Sequence, residues 1–284
     1  MAIRSKLTGG LGNQMFQFAA AFTVAKRKQV DLFLDLGWLD TRNLHNGFEL
    51  ENVFDIYSKV NFLKKDFIFK NINIGRYLAK FDFKLKTFEE PHFHFSSEIF
   101  NISNHVYLKG YWQSELYFRE YSNELKKIFI FSKNINESIS SIKNEIYNSN
   151  SVSIHIRRGD YVSKKNINHY IDLKNFYLKA AKNVARQTTN PIFFIFSDDP
   201  GWVSKNFKLE YPYKIVNINN GINSFKDMYL MSLCKHNIIA NSSFSWWAAW
   251  LNNNEHKMVF APKNWFKDKS INTENLYPIS WITV

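Results

Sequence analysis

The sequence predicts an α/β protein of two domains, each with helices alternating along a parallel sheet. Three observations carry that prediction. The chain has 284 residues, about right for two compact domains of ordinary size. Strand-like and helix-like segments alternate in both halves, and in each half a short strand opens into a loop rich in glycine or arginine. Hydrophobic residues make up 45% and aromatic residues 17% of the chain, enough for a large packed core and too many for a disordered chain.

The first half begins with a short strand, Ile3 to Leu7, and the loop Thr8-Gly9-Gly10-Leu11-Gly12-Asn13-Gln14. A helix follows, with Met15, Phe18 and Phe22 on one face and Lys26, Arg27 and Lys28 at its end, where cations suit the helix dipole. The next strand is Val30 to Asp35. Strand, glycine loop, helix and strand form a nucleotide-fold opening. As a dinucleotide fingerprint it is imperfect, because Met15 stands where a third small residue belongs. Asp31 or Asp35 can act as the ribose acid, so an NAD-dependent oxidoreductase is the alternative from another functional class. The stretch from Gly37 to Asn104 gives fewer signals. His92 and His94 alternate like one strand face, and packing or acceptor contact explains them better than a metal with no third ligand nearby. Val106 to Lys109 is a strand that turns through Gly110-Tyr111-Trp112-Gln113-Ser114-Glu115. Flat aromatic faces beside hydrogen-bonding edges are what a sugar site needs; a buried aromatic strand end explains the same residues equally well. Glu115 to Ile130 reads as helical, and the polar segment Asn134 to Asn150 crosses into the second half. The expected domains are residues 1–148 and 149–284.

The second half is organised around Ser151 to Val162. Val152, Ile154 and Ile156 alternate with Ser153 and His155 in the period of a strand, which ends in Arg157-Arg158-Gly159-Asp160. In open α/β sheets ligands bind beyond the carboxyl ends of the strands, and paired guanidinium forks suit a diphosphate. A helix from Asp172 to Arg186 leads to the apolar strand Pro191 to Phe196, which ends in Ser197-Asp198-Asp199. Those carboxylates are expected to pair with Arg157 and Arg158 rather than hold a metal. Lys214 to Ile218 is a strand, Asp227 to Cys234 a helix and His236 to Ala240 a strand. Asn241-Ser242-Ser243-Phe244-Ser245 then opens a tryptophan-rich helix, and small hydroxylic residues there both cap it and leave N–H groups for an anion.

The formal net charge of +12 suits anionic partners. The lysines are scattered rather than gathered on one element, which argues against a nucleic-acid module and permits attraction to a membrane surface. The lone cysteine, Cys234, excludes an internal disulfide. The start shows no apolar run of signal-peptide length, and no stretch reaches the length of a bilayer span, so a cytoplasmic location is expected, with contact at the inner membrane face left open.

Taken together, these segments resemble the α-1,2-fucosyltransferases of glycosyltransferase family 11. The residues that carry the resemblance are Gly9 to Gln17, Gly110 to Glu115, His155 to Tyr161, Ser197 to Asp199 and Asn241 to Trp247, in the family's order and over nearly the whole chain. The resemblance implies a GT-B-like architecture, two Rossmann-like domains facing a central cleft, the first mainly on the acceptor side and the second on the donor side. It implies an inverting, metal-independent transfer of L-fucose from GDP-β-L-fucose to O2 of a galactose, with no cofactor. The acceptor setting it suggests is a surface polysaccharide or a lipid-linked oligosaccharide. By that resemblance Arg157 serves the β-phosphate, with His155 and Arg158 in support. Ser242, Ser243 and Phe244 cradle the diphosphate, Asp227 reads the guanine edge, and Gly12 and Asn13 reach the donor. Tyr111, Trp112 and Gln113 are placed on the acceptor. For the general base, Glu115 and Asp160 are both candidates. Another GDP-sugar, or another acceptor position, is the alternative within the same fold.

Overall fold

The computed structural model describes residues 1–40, 46–65, 85–131, 135, 139–158 and 171–284. The chain forms two compact units, Met1–Ser132 with Thr273–Pro278, and Lys133–Asn272 with Ile279–Val284. Among the described residues each contains its own parallel sheet, of five and six strands respectively. The division falls before the expected 148/149 boundary, because the helix Ser140–Tyr147 packs with the second unit through buried Ile142 and Ile146.

In the first unit the strands are β1 (Ala2–Lys6), β2 (Asp31–Asp35), β3 (Leu63–Lys64), β4 (Lys86–Glu89) and β5 (Val106–Lys109), in the order β3-β2-β1-β5-β4. Ile3, Leu32, Leu34, Val106 and Leu108 alternate inward, the period-2 pattern that makes a strand amphipathic. Helix α1 (Leu11–Lys28) covers that face. It is buried on more than one side, since Phe16 packs on Phe118, Phe18 on Phe129 and Phe22 on Tyr121. It ends in Lys26, Arg27 and Lys28, and Gln29 closes it in the left-handed region with φ 54°. Lys26 and Arg27 pair with Glu124 and Glu120. The segment expected as one helix from Glu115 is instead two short 3₁₀ turns, Glu115–Tyr117 and Arg119–Tyr121, followed by helix α2 (Ser122–Ile128). Buried Tyr117 and Phe118 pull the backbone away from a regular helical face.

The second unit begins with helix α3 (Ser140–Tyr147) and carries strands β6 (Asn150–Ile156), β7 (Pro191–Ser197), β8 (Tyr213–Val216), β9 (His236–Ile238), β10 (Val259–Ala261) and β11 (Ile282–Thr283). Their order is β11-β10-β9-β6-β7-β8. Helices α4 (Lys174–Ala185), α5 (Pro200–Asn206), α6 (Phe225–Leu233) and α7 (Ser243–Leu251) connect them. Val152, Ile154, Ile156, Phe193 and Ile195 pack under Tyr177, Ala180, Ala181 and Val184 of α4. The opposite face of β6 carries Ser153 and His155, and there the Phe244 ring of α7 lies 5.7 Å from the His155 ring. Helices therefore cover both faces, the doubly wound arrangement.

A buried amide network fixes β9 between β6 and α7. Asn237 Nδ2 donates to Ser153 Oγ and to the Met231 carbonyl, each at 2.8 Å. Asn252 Nδ2 donates to Asn237 Oδ1 and to the Cys234 carbonyl, each at 2.7 Å. Polar groups taken out of water this way cost little only when every partner is present. Among the described residues, no helix is long and apolar enough to cross a membrane.

Candidate functional site

In a parallel sheet the chain leaves every strand at the same edge. In the second unit the order reverses beside β6, which has later strands β7 and β8 on one side and β9 on the other. The carboxyl ends of β6 and β9 lie side by side there, the place where open α/β sheets hold ligands. His155, Arg157 and Arg158 come from the β6 end, and Asn241, Ser242, Ser243 and Phe244 from the β9 end.

Arg157 Nη1 lies 2.8 Å from Asp198 Oδ2, while Asp198 Oδ1 accepts the Arg158 N–H at 2.9 Å. One carboxylate from the β7 end thus orients the guanidinium and the backbone beside it. The Arg158 guanidinium lies 3.7 Å from the centre of the Trp202 ring and 3.6 Å, through Nε, from Asp199 Oδ2. Asp199 also caps α5 by accepting the Trp202 N–H. The expected pairing of these carboxylates with the arginines is therefore present. Ile156, Arg157, Arg158, Asp172, Lys174 and Trp202 line a pocket at this strand end.

His155 is buried, and its Nδ1 has no hydrogen-bond partner among the described residues. Burial holds the imidazole well below its ordinary range; Asp198 opposes the shift and Arg157 adds to it. A neutral ring with an unanswered nitrogen is poised to bond a ligand atom. Ser242 stands at the N-cap of α7, yet its side chain makes no capping bond. Helix α7 therefore presents its first-turn N–H groups, with their partial positive charge, beside partly exposed Ser243 and Phe244. Asp227, in the first turn of α6, accepts a bond from Asn219 Nδ2 at 2.6 Å, and burial pushes its carboxyl up to about 7.

The first unit has its own switch point, between β1 and β5. The loops after these strands meet where Gln113 Nε2 donates to Asn13 Oδ1 at 2.9 Å. Gly9 has φ 76°, and a Cβ there would come within 2.5 Å of Asn13 Nδ2, so only glycine fits. Gly12 is buried inside α1. The start of α1 is already occupied. The Leu11 N–H donates to Glu49 Oε2 at 3.0 Å, and Gln14 ties Glu49 N–H and the Gly9 and Gly47 carbonyls together. The protein's own carboxylate thus fills the position that a dinucleotide phosphate takes at a helix N-terminus, which removes the main support for the oxidoreductase alternative.

Two expectations need correction or restriction. Trp112 is fully buried, stacked on Phe88 and edge-on to Tyr117, so it offers no exposed face to a sugar; Tyr111, 46% exposed, is the accessible aromatic of that turn. Asp160 lies outside the described residues, as does Gly159. Of the two base candidates, Glu115 lies 3.3 Å from Arg119 in the first unit. The sequence reading missed Glu49 and Glu90. Neither sits in a motif, and both act on backbone N–H groups that sequence does not reveal.

The sequence model of glycosyl transferase family 11 matches residues 3–284. An α-1,2-colitosyltransferase of Escherichia coli is 35% identical over 99% of this chain and 98% of its own length. The O-antigen biosynthesis glycosyltransferase WbnK, also of Escherichia coli, is 32% identical over 99% of each chain. Among solved structures, the NodZ α-1,6-fucosyltransferase co-crystallised with GDP aligns with a TM-score of 0.51 at 19% identity, over 87% of this chain and 90% of that one. FUT1 of Arabidopsis thaliana in complex with GDP aligns with a TM-score of 0.53 at 11% identity, over 95% and 72%. These structural likenesses agree with the GT-B-like fold class.

Proposed function

The chain belongs to glycosyl transferase family 11, and from that premise we propose that it is an inverting, metal-independent α-1,2-fucosyltransferase. L-fucose passes from GDP-β-L-fucose to O2 of a galactose in a surface polysaccharide or lipid-linked oligosaccharide, and GDP leaves. No cofactor is required in this reading, and the reaction runs in the cytoplasm, at the inner face of the membrane when the acceptor is lipid-linked.

The observation that carries the proposal is the crevice between the ends of β6 and β9. It joins an oriented guanidinium, a buried neutral imidazole with an unanswered nitrogen, and an uncapped helix start. As the bond from fucose C1 to the β-phosphate oxygen breaks, its electron pair goes to GDP and the sugar becomes oxocarbenium-like. Arg157 and the first N–H groups of α7 meet that growing charge, with Ser242 and Ser243 hydroxyls beside them. Preorganised donors of this kind act without reorganising at the moment of reaction. His155 Nδ1 accepts or donates one bond at the donor, and Asp227, backed by Asn219, accepts from the guanine edge. Asn13, oriented by Gln113, is a further donor-side candidate by the family resemblance. The proton of the acceptor hydroxyl goes to a base, for which Glu115 and Asp160 are the candidates.

The experiment is transfer from GDP-fucose to a panel of β-galactosides in excess chelator, with linkage analysis of the product. Chelator-resistant α-1,2 transfer supports the proposal, and no turnover of any GDP-sugar overturns it. A second reading draws support from the colitosyltransferase relative. Colitose is L-fucose without its 3-hydroxyl, so a crevice shaped for one is close to fitting the other. Turnover that favours the 3-deoxy donor would keep the fold and the linkage and change the sugar.

A further inference from the structure

Glu90 plays no part in the chemistry above, yet it holds the turn that the acceptor reading depends on. It follows β4 at the edge of the first sheet, where Glu89 pairs in register with Lys109 of β5. Its own N–H donates to the Lys109 carbonyl at 2.8 Å. Its side chain then reaches across the turn after β5. Oε2 accepts the Tyr111 N–H at 2.7 Å and Oε1 accepts the Trp112 N–H at 2.9 Å.

The turn needs this clamp. Trp112 has φ 57°, a left-handed conformation that a bulky side chain seldom adopts. Its indole is sealed beneath Phe88 and Tyr117. At Gly110 an added Cβ would stand 2.5 Å from Glu90 Cβ and 2.8 Å from the Trp112 ring, so the backbone passes too close for any side chain. The outcome is two neighbouring presentations. Tyr111 turns outward, while Gln113 stays buried with Nε2 on Asn13 and Oε1 without a partner among the described residues. An exposed aromatic face and an unanswered acceptor atom are the two elements that bind a sugar's C–H face and a hydroxyl.

We propose that Glu90 is a positioning residue for the galactoside acceptor, fixing the Gly110–Gln113 turn so that Tyr111 and Gln113 engage it. The inference rests on the transferase reading above. Burial pushes the Glu90 carboxyl up to about 7, against the two N–H bonds that favour the anion. Protonation removes an acceptor from the clamp. The other ionisable groups around it are the Lys109–Glu89 pair, the buried Tyr117 phenol bonded to the Ser96 N–H, exposed His92 and half-buried His94.

The test compares wild type, Glu90→Gln and Glu90→Asp for GDP-fucose hydrolysis without acceptor and for transfer to lactose across pH 5.5–8.5. For Glu90→Gln we expect the acceptor KM to rise about tenfold or more, equivalent to about 1.4 kcal/mol, with much smaller changes in the hydrolysis rate and donor KM. In wild type the acceptor KM rises as pH falls through about 7, and Glu90→Gln loses that dependence. Glu90→Asp recovers part of the affinity. An unchanged acceptor KM overturns the inference, as does an equal loss of hydrolysis and transfer. If Glu90→Gln fails to fold, Glu90→Asp, which keeps the charge but shortens its reach to the Tyr111 and Trp112 N–H groups, tests the same clamp with the same readouts. A wild type that transfers no sugar overturns the transferase reading itself, a result distinct from an active wild type indifferent to Glu90.

Discussion

The two units use the same device, a parallel sheet with a switch point beside its central strand, and use it in opposite ways. In the first unit the helix after the glycine loop starts against Glu49, a carboxylate supplied by the chain. In the second, α7 starts at a serine that does not cap it, and its Phe244 lies beside a histidine with an unanswered nitrogen. One positive helix end is neutralised from within, and the other is left for an anion from outside. A nucleotide-fold opening in sequence is therefore a statement about topology. Which crevice holds phosphate depends on whether the protein has already filled it.

The largest effect expected to break this comparison is Arg157→Ala. Losing one charge-stabilising contact of this kind costs about 10²–10³ in rate, so kcat for transfer should collapse while the circular dichroism spectrum stays unchanged. Retained activity would show that the crevice of the second unit is not the donor side. On the first unit, Glu49→Ala removes the carboxylate that accepts the Leu11 N–H and a bond from Asn46 Nδ2. That should cost about 1–3 kcal/mol of stability, read as a lower denaturation midpoint, with GDP affinity unaltered. Tighter GDP binding in that variant would mean that the glycine loop is itself a phosphate site held closed by Glu49.

A smaller effect sharpens the contrast through pH. In the proposed role Asp227 meets guanine as a carboxylate, and burial pushes its carboxyl up to about 7. GDP affinity should weaken as pH falls through that value, by up to tenfold per unit below it, and Asp227→Asn should flatten the profile in calorimetric titrations. Stability runs the other way. Asp227 and Glu90 both have folded-state values raised above their ordinary ones. Their contribution is fully present below the unfolded carboxyl value and is lost as pH rises through about 7. Urea midpoints of Asp227→Asn and Glu90→Gln should therefore fall less than wild type between pH 5 and pH 8.

Much of this was legible in sequence because the second unit is written in local signals. The alternation of Val152, Ile154 and Ile156, the paired arginines and the Ser-Ser helix start each announce an element and its chemistry, and the structure brings the β6 and β9 ends together at one sheet edge. The first unit was legible in topology but less so at its site. An aromatic pair such as Tyr111-Trp112 does not say which ring is outside. That is decided by the left-handed turn at Trp112 and by Phe88 from a neighbouring strand. Glu49 and Glu90 were invisible for the same reason, since their partners are backbone N–H groups 38 and 21 or 22 residues away. The helix expected from Glu115 gave way to 3₁₀ turns because tertiary burial of Tyr117 and Phe118 outweighed local propensity.

The amide lattice of Asn237, Asn252 and Ser153 has a consequence for motion. It ties the β9 strand to the core immediately before the loop that leads into α7. Amide protons there should exchange with solvent only through global opening, on the slowest timescale of the unit. The loop is thereby anchored at its root. A ligand that meets α7 spends little of its affinity on ordering the backbone, so sugar preference can drift through side chains at the rim while the platform beneath them stays still.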